Sequence, residues 1–293
     1  MALEELHDIE VRSVADVIDF VKANAMRIFH TSTNSMSLYR GQSDYTWHLL
    51  PAVYRGGQFD FESIYIKELE RIRPSDFAGQ SSFDKLVKMQ HYGLPTRLLD
   101  VTSNPLVALY FACSNHLERD GAFYYFSAPT FWYDNWAIQI VMEYVMNPEN
   151  YIDRFVARVR HMLPEAFRTD ARAKEIVLHT LGVPAHAVLP KRTNQRIQQQ
   201  SGAFFLFGMS MEKQEPNKMT PGRIPFCEID IDQEQRIAPI IKKLRIPAKC
   251  KSSILHELDL LNINEAFLFP ELEYQSKNVI QYVQRKINYL PEK

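Results

Sequence analysis

The stretch MQHYGLPTRLLDVTSNPLVALYFA, residues 89–112, carries most of what the sequence says about the fold. Its polar residues stand among leucine, valine, tyrosine and phenylalanine and are Gln90, His91, Thr96, Arg97, Asp100 and Thr102. A buried polar group without a hydrogen-bond partner costs about 1–3 kcal/mol, so a purely structural core element would hold few of them. A surface loop would be less apolar. The stretch therefore predicts a polar site built on rigid, buried elements.

Helix and strand signals around this stretch predict a strand–helix–strand unit. Residues 82–92 have the spacing of an amphipathic helix, and Gly93 follows its expected end. Residues 96–102 are predicted to form a buried strand. The Asn-Pro pair at 104–105 is a strong helix start, because asparagine caps and proline suits the first helical position. The segment GAFYYF at 121–126 is predicted to form the next strand.

The rest of the chain predicts an α+β fold with a mixed or antiparallel sheet. Residues 1–36 are expected to be a helical lead-in, with Ser13 capping its helix. Three helical patterns in 130–185 predict an inserted helical subdomain packed against the sheet. The second half of the sheet and the C-terminal helices are expected in 186–293. The strands predicted there are 186–190, 196–208, 225–231, 242–247 and 266–269, and the helices are 252–262 and 276–289.

Composition excludes few classes of protein. The chain has 293 residues, 46% hydrophobic and 24% charged, which is ordinary for a globular protein. A net charge of −1 gives no global attraction to nucleic acid or to an anionic membrane. Three widely spaced cysteines fit a reducing compartment better than a disulfide framework. With no signal-peptide pattern at the N-terminus and no apolar run of spanning length, we expect a cytoplasmic protein without membrane contact.

Two arginines are candidates for binding an anion. Arg40 and Arg97 each lie on a predicted strand, next to turn signals. A guanidinium holds carboxylate or phosphate with two parallel hydrogen bonds, so two converging arginines would suit a diphosphate. The alternative is structural ion pairing, of Arg97 with Asp100 or of Arg40 with Asp44.

The segment Thr102-Ser103-Asn104 ends a predicted strand and begins a helix. Free amide groups and the helix dipole make such a terminus an anion site, and the hydroxyl groups can hold ribose or phosphate oxygens. Alternatively, they only cap the helix. His91 is a candidate general base or substrate ligand, or else a cap for the last turn of its own helix. Because no HExxH or paired histidine spacing occurs, no metal is expected.

Two further polar residues lie beside strongly apolar segments. Gln200 ends the run 198–200, whose amides need partners in a ligand unless they lie on a solvated strand edge. Glu271 follows a predicted strand that ends at Pro270, a suitable place for an active-site carboxylate. Its rivals for that role are Glu228, Glu265 and Glu273.

These segments resemble the FRG domain family. The family is named for a Phe-Arg-Gly motif, which here reads YRGQ at 39–42. Its most specific block, QHYGLPTRLLDxT followed by an ALYFA helix, is present at 90–112. A RIxxQxGxF pattern matches 196–204, and an LFPDL-like block matches 268–272. The resemblance implies a single FRG-type domain over 1–293.

The chain departs from the family pattern at four positions. Tyr39 replaces phenylalanine, Val101 stands where tryptophan is frequent, and Glu271 replaces aspartate and keeps its charge. Asn262 occupies a glycine turn position, and asparagine tolerates the left-handed backbone that such a turn requires. None of these changes removes a polar group singled out above.

The resemblance implies a bacterial or phage protein acting in toxin or phage-defence biology. The order of elements is similar to an ADP-ribosyltransferase-type fold, which implies NAD as cofactor. The residues expected to be catalytic are Arg40, Glu271 and His91. The residues expected to bind the cofactor are Arg97, Thr102, Ser103, Gln42 and Gln200. In that scheme arginine holds the diphosphate, Thr102 and Ser103 hold the nicotinamide ribose or brace the site, and Glu271 stabilises the positive charge that develops as nicotinamide departs.

Two other functions remain open at this point. A nuclease or nucleotide hydrolase would need His91 and Asp100 as base and partner, and a metal. A non-catalytic sensor would bind a nucleotide or a phage protein in the same cleft. The acceptor of a transferase would be a protein or a nucleic acid. The helical segment 130–185 is the candidate surface for a protein partner, unless it is only a packed subdomain.

Overall fold

The computed structural model describes residues 9–28, 35–192, 194–208 and 240–271, with position 279. The predicted strand 225–231, nearly all of the predicted helix 276–289 and the candidates Glu228 and Glu273 lie outside the described residues.

Six described strands form one mixed sheet in which five close into a barrel. The strands are β1 (Ser35–Gln42), β2 (Leu98–Thr102), β3 (Gly121–Trp132), β4 (Ala185–Leu189), β5 (Gly202–Phe207) and β6 (Ile240–Ile246). The order β1-β2-β5-β4-β3 returns to β1 through the β1–β3 ladder, and β6 pairs with β3. Only β3 and β4 pair in parallel among these strands. The predicted α+β fold with a mixed sheet is confirmed.

The helices cover the outside of the barrel. They are α1 (Val14–Ile28), α2 (Glu62–Ile72), α3 (Pro74–Phe77), α4 (Ser82–His91), α5 (Pro105–Cys113), α6 (Trp136–Met146), α7 (Ile152–Val159), α8 (Asp170–Gly182), α9 (Gln195–Gln199), α10 (Ala248–Leu260) and α11 (Glu265–Leu268). The Asn104 cap is confirmed, since its Oδ1 accepts the Leu106 amide at 2.9 Å. None of the described helices is long and apolar enough to cross a membrane.

Alternating residues of the five barrel strands fill the barrel with side chains. Among them are Leu38, Leu99, Val101, Tyr124, Phe126 and Phe205. On one outer side, α1, α5 and α10 pack over the opposite face of β3, where Phe123 and Tyr125 are buried. Because both faces of β3 are covered, its sequence is a continuous apolar run rather than an alternating one.

The other outer side is a helical layer in which α2, α4, α6, α7 and α8 share one core with Leu98 and Phe204 of the barrel. The expected insert 130–185 is therefore part of a layer that begins before it in the chain. Its bounds also differ, because β3 continues to Trp132 and β4 begins at Ala185.

One predicted strand, 266–269, and the first part of another, 196–208, are helical. Residues 195–199 form α9 because the Asn194 side chain accepts the Ile197 amide at 2.7 Å, and the strand begins only at Gly202. Residues 265–268 form α11, capped by Asn264 through the Phe267 amide at 2.9 Å. Segments this short do not distinguish strand from helix by their pattern, and the asparagine cap before each one favours the helix.

Gly41 allows β1 and α5 to approach closely. A Cβ atom at this position would lie 1.9 Å from the Ala108 carbonyl oxygen of α5. No side chain fits there, which explains the glycine of the YRGQ segment. Asn262 has a φ of 61°, the left-handed conformation expected for it.

Candidate functional site

A cavity of about 340 Å³ lies at the seam between β1 and β2. These strands share one ladder position, Tyr39 opposite Thr102, so they separate on either side of it. The end of α4, the first turns of α5 and the helix α9 form the walls of this opening. The volume is within the range of small-molecule sites, about 300–1,000 Å³. Polar side chains of β1 and apolar side chains of α5 and α9 face the same space.

Arg40 lines the cavity with part of its guanidinium unsatisfied. Nη1 donates to the Asp100 carbonyl oxygen at 2.6 Å, while the buried Nε has no hydrogen-bond partner within the described residues. Burial lowers the pKa of Arg40, which nearby Asp100 partly opposes. The expected alternative, a pair with Asp44, is wrong, because Asp44 binds Arg119 at 2.6 Å. Arginine stays protonated at any pH a protein survives, so a cationic donor faces the cavity.

Gln42 lines the same cavity and is 2% exposed. Its Nε2 donates to the His48 carbonyl oxygen at 3.2 Å. Its Oε1 is buried and has no partner in the part of the chain that is described. The sequence placed Gln42 in the site only through the family motif.

Arg97 does not reach the cavity, which corrects the expected convergence with Arg40. It is 3% exposed and bound to Glu62, also 3% exposed, through its Nε at 2.8 Å and its main-chain amide at 3.0 Å. Its guanidinium lies 5.2 Å from the centre of the Phe59 ring. Burial alone would lower the pKa of Arg97, but Glu62 and other neighbours raise it. Arg97 is a structural ion pair, with Glu62 rather than with Asp100.

Thr102 and Ser103 brace the wall. The Thr102 hydroxyl donates to the Gln200 carbonyl oxygen at 2.6 Å and accepts the Asn104 amide at 3.0 Å. The Ser103 amide donates to the Ser201 carbonyl oxygen at 3.1 Å, and Ser103 does not line the cavity. Since Pro105 has no N–H and Asn104 caps the Leu106 amide, donors at this helix start are already engaged. These contacts stabilise the wall of the cavity and are not those of an anion-binding site.

One wall of the cavity joins His91 to the end of the described chain. His91 Nε2 lies 3.6 Å from Glu271 Oε1, and Arg196 Nη1 lies 3.8 Å from the same oxygen. Burial and Arg196 lower the pKa of His91, against Glu271 and Asp100, so the imidazole is neutral near pH 7. His91 and Arg196 line the cavity, and Glu271 lies behind them with its Oε2 buried and without a partner among described residues.

Gln200 stabilises the same wall of the cavity. Its Nε2 donates to the Leu268 carbonyl oxygen at 3.1 Å, so α9 holds α11 and the Glu271 segment in place. Gln200 also lines the cavity. The sequence suggested that Gln200 contacts a ligand or lies on a solvated strand edge. Neither alternative included the Leu268 carbonyl group as its partner.

Gln90 and Asp100 of the polar 89–112 stretch also line the cavity. Gln90 donates to Asp100 Oδ1 at 3.0 Å and accepts a hydrogen bond from Thr96, so three of the six polar residues of that stretch form one network. His91 faces Glu271, so it is not paired with Asp100 as the nuclease hypothesis requires. The signal for Arg196 was present in the RIxxQxGxF pattern. Asn115 also lines the cavity and was not indicated by the sequence.

The described residues contain no group of three or more histidine, cysteine, aspartate or glutamate side chains placed to hold a metal ion.

Comparison with known families gives one match. Residues 35–121 match the family model described as FRG domain. No curated protein matches, and no solved structure matches. The matched span contains Arg40, Gln42, His91 and Thr102, whereas the α9 wall lies beyond it.

Proposed function

We propose, from the FRG domain that the chain carries in residues 35–121, that this protein binds a nucleotide in the β1–β2 cavity. The ligand put forward is NAD, and the activity is transfer of its ADP-ribosyl group to a protein or nucleic acid. The biological setting we propose is toxin action or phage defence.

The main support for this proposal is the guanidinium of Arg40. Within the described residues, no carboxylate lies within 4 Å of it, and its buried Nε lacks a hydrogen-bond partner. A partly buried cation that no described carboxylate neutralises is costly, and an anionic ligand would offset that cost. Phosphate oxygens are the natural partners of a guanidinium in a cavity of this size.

The remaining residues have supporting roles in this proposal. Gln42 offers an acceptor next to Arg40. Thr102 and Gln200 hold the wall through main-chain carbonyl groups. The Glu271 carboxylate would stabilise developing positive charge on the ligand, with His91 and Arg196 fixing its position. With NAD bound, the site would thus contain an anion-binding group, Arg40, and a carboxylate, Glu271.

Isothermal titration with NAD and an assay of nicotinamide release test the proposal. Arg40→Ala is expected to weaken NAD binding about tenfold to a hundredfold, the value of a charged hydrogen bond. Arg160→Ala is the control, because Arg160 pairs with Asp170 on the helical layer and does not line the cavity. The proposal fails if the unmodified protein neither binds NAD nor releases nicotinamide with protein or nucleic-acid acceptors present.

A second candidate is a non-catalytic sensor of nucleotides. It is favoured by one observation: Glu271 lies behind His91 and Arg196 rather than in the cavity. Binding would then occur without a carboxylate at the reacting atoms. A rise in melting temperature with NAD, unaccompanied by nicotinamide release, distinguishes the sensor from the transferase.

A further inference from the structure

Gln42 lines the cavity and carries a buried acceptor that no described residue satisfies. Its Nε2 donates to the His48 carbonyl oxygen at 3.2 Å. Since a carbonyl oxygen only accepts, this contact places the amide nitrogen on the His48 side and leaves Oε1 on the other. That oxygen is buried and unpartnered on a side chain that is 2% exposed.

Arg40 presents the complementary group two residues earlier on β1. Side chains at i and i+2 of a strand lie on one face, with Cα atoms about 7 Å apart. The Nε of Arg40 is also buried and lacks a partner within the described chain. Two neighbouring residues that line the cavity therefore carry an unsatisfied cationic donor and an unsatisfied neutral acceptor.

We propose that Gln42 recognises a hydrogen-bond donor of the ligand, so that the cavity selects a phosphorylated sugar or nucleotide with a hydroxyl group beside the anionic oxygen on Arg40. This inference deepens the proposed function and rests on it. Inorganic pyrophosphate, which presents mainly acceptor oxygens, would leave Gln42 Oε1 unpaired and facing another oxygen. A site that leaves a buried acceptor unpaired rejects such an analogue strongly.

Gln80 provides a matched control elsewhere in the molecule. Its Nε2 donates to the Asp76 carbonyl oxygen at 3.2 Å, and its Oε1 is buried without a partner, the same pattern as in Gln42. Gln80 does not line the cavity. A change at Gln80 therefore reproduces the chemistry of the substitution without touching the site.

Isothermal titration of the full chain with ADP-ribose and with pyrophosphate tests the inference. The unmodified protein is expected to bind ADP-ribose at least about tenfold more tightly than pyrophosphate. Gln42→Met, which is close in size, is expected to weaken ADP-ribose binding about tenfold, the loss of one buried hydrogen bond. Gln80→Met is expected to leave the affinity unchanged.

Two results would overturn the role of Gln42. One is equal affinity of the unmodified protein for the two probes, a comparison that needs no variant and holds even if Gln42→Met does not fold. The other is ADP-ribose binding by folded Gln42→Met within about twofold of the unmodified protein. If Arg40→Ala still weakens binding in that case, the proposed function survives and only the role of Gln42 in recognising a donor fails. Absence of ADP-ribose binding to the unmodified protein overturns both.

Discussion

Arg40 and Arg97 show how two arginines with similar sequence surroundings acquire different roles. Both lie on predicted strands near turns, but among the described residues only Arg97 pairs with a carboxylate, that of Glu62 at the start of α2. A guanidinium that is fully paired in a dry site stabilises the fold only while its partner stays charged. Arg40 keeps free donors because its nearest partner is a main-chain carbonyl oxygen.

Glu62→Gln is expected to lower the free energy of unfolding by about 3–5 kcal/mol, because it leaves the buried Arg97 cation without a counter-charge. Urea denaturation measures the loss. Glu68→Gln on the same helix is the control, since Glu68 binds Arg71 at the surface and such pairs contribute at most about 1 kcal/mol. Equal effects of the two substitutions would contradict the assigned role of Arg97.

His186 makes stability depend on pH. Burial lowers its pKa, although its Nε2 lies 2.9 Å from the Thr180 carbonyl oxygen. Unfolded histidine has a pKa of about 6.5, so below that pH the unfolded chain takes up a proton that the folded chain resists. Stability is therefore fully present above about pH 6.5 and declines as the pH falls below it. Chemical denaturation at pH 7.5 and 5.5, values on either side of about 6.5, should show this decline, with a smaller one in His186→Gln. An identical decline in that variant would contradict the prediction.

Among the elements, the shortest helices control the site most directly. The five-residue α9 carries Arg196 and Gln200 at or beside its end, and the four-residue α11 leads into Glu271. Isolated helices of this length have no stability of their own, so their caps and tertiary contacts hold them. The Gln200 bond to Leu268 ties the two together.

Asn264→Ala is expected to remove the α11 cap, to cost about 1 kcal/mol and to weaken NAD binding by loosening the Glu271 wall. Asn135→Ala removes an equivalent cap from α6, where Asn135 accepts the Ala137 amide at 2.9 Å. We expect a similar loss of stability there without a change in affinity. Thermal denaturation and titration of both variants make the comparison. Equal effects on affinity would show that α11 does not support the site.

In the whole molecule, β3 is the strand on which the sheet depends. It pairs with β1 on one side and β6 on the other over residues 122–127, and then with β4. The FRG match ends at Gly121, where this strand begins. Closure of the barrel therefore depends on segments that follow the matched region.

Hydrogen exchange is expected to be slowest in residues 122–127, because their amides lie in the doubly paired part of β3 and open only with global unfolding. Mass spectrometry of peptides after deuterium labelling measures this. The peptide covering α3, Pro74–Phe77, is expected to exchange much faster. Comparable rates for the two peptides would mean that β3 is not the centre of the sheet.

The sequence was sufficient for features that depend on neighbours in the chain. The Asn104 cap with Pro105, the turn at Gly93 and the amphipathic α4 follow from local backbone chemistry, and the family motif located Arg40, Gln42 and His91. The helical states of α9 and α11 were missed although Asn194 and Asn264 precede them, because segments of four or five residues are too short for a pattern that distinguishes helix from strand. Local sequence patterns did not predict which polar groups pair with each other. Glu62 reaches Arg97 across 35 residues and Thr102 reaches Gln200 across 98, and only the folded chain brings such groups within hydrogen-bond distance. Which arginine stays free to bind a ligand is therefore a property of the tertiary structure.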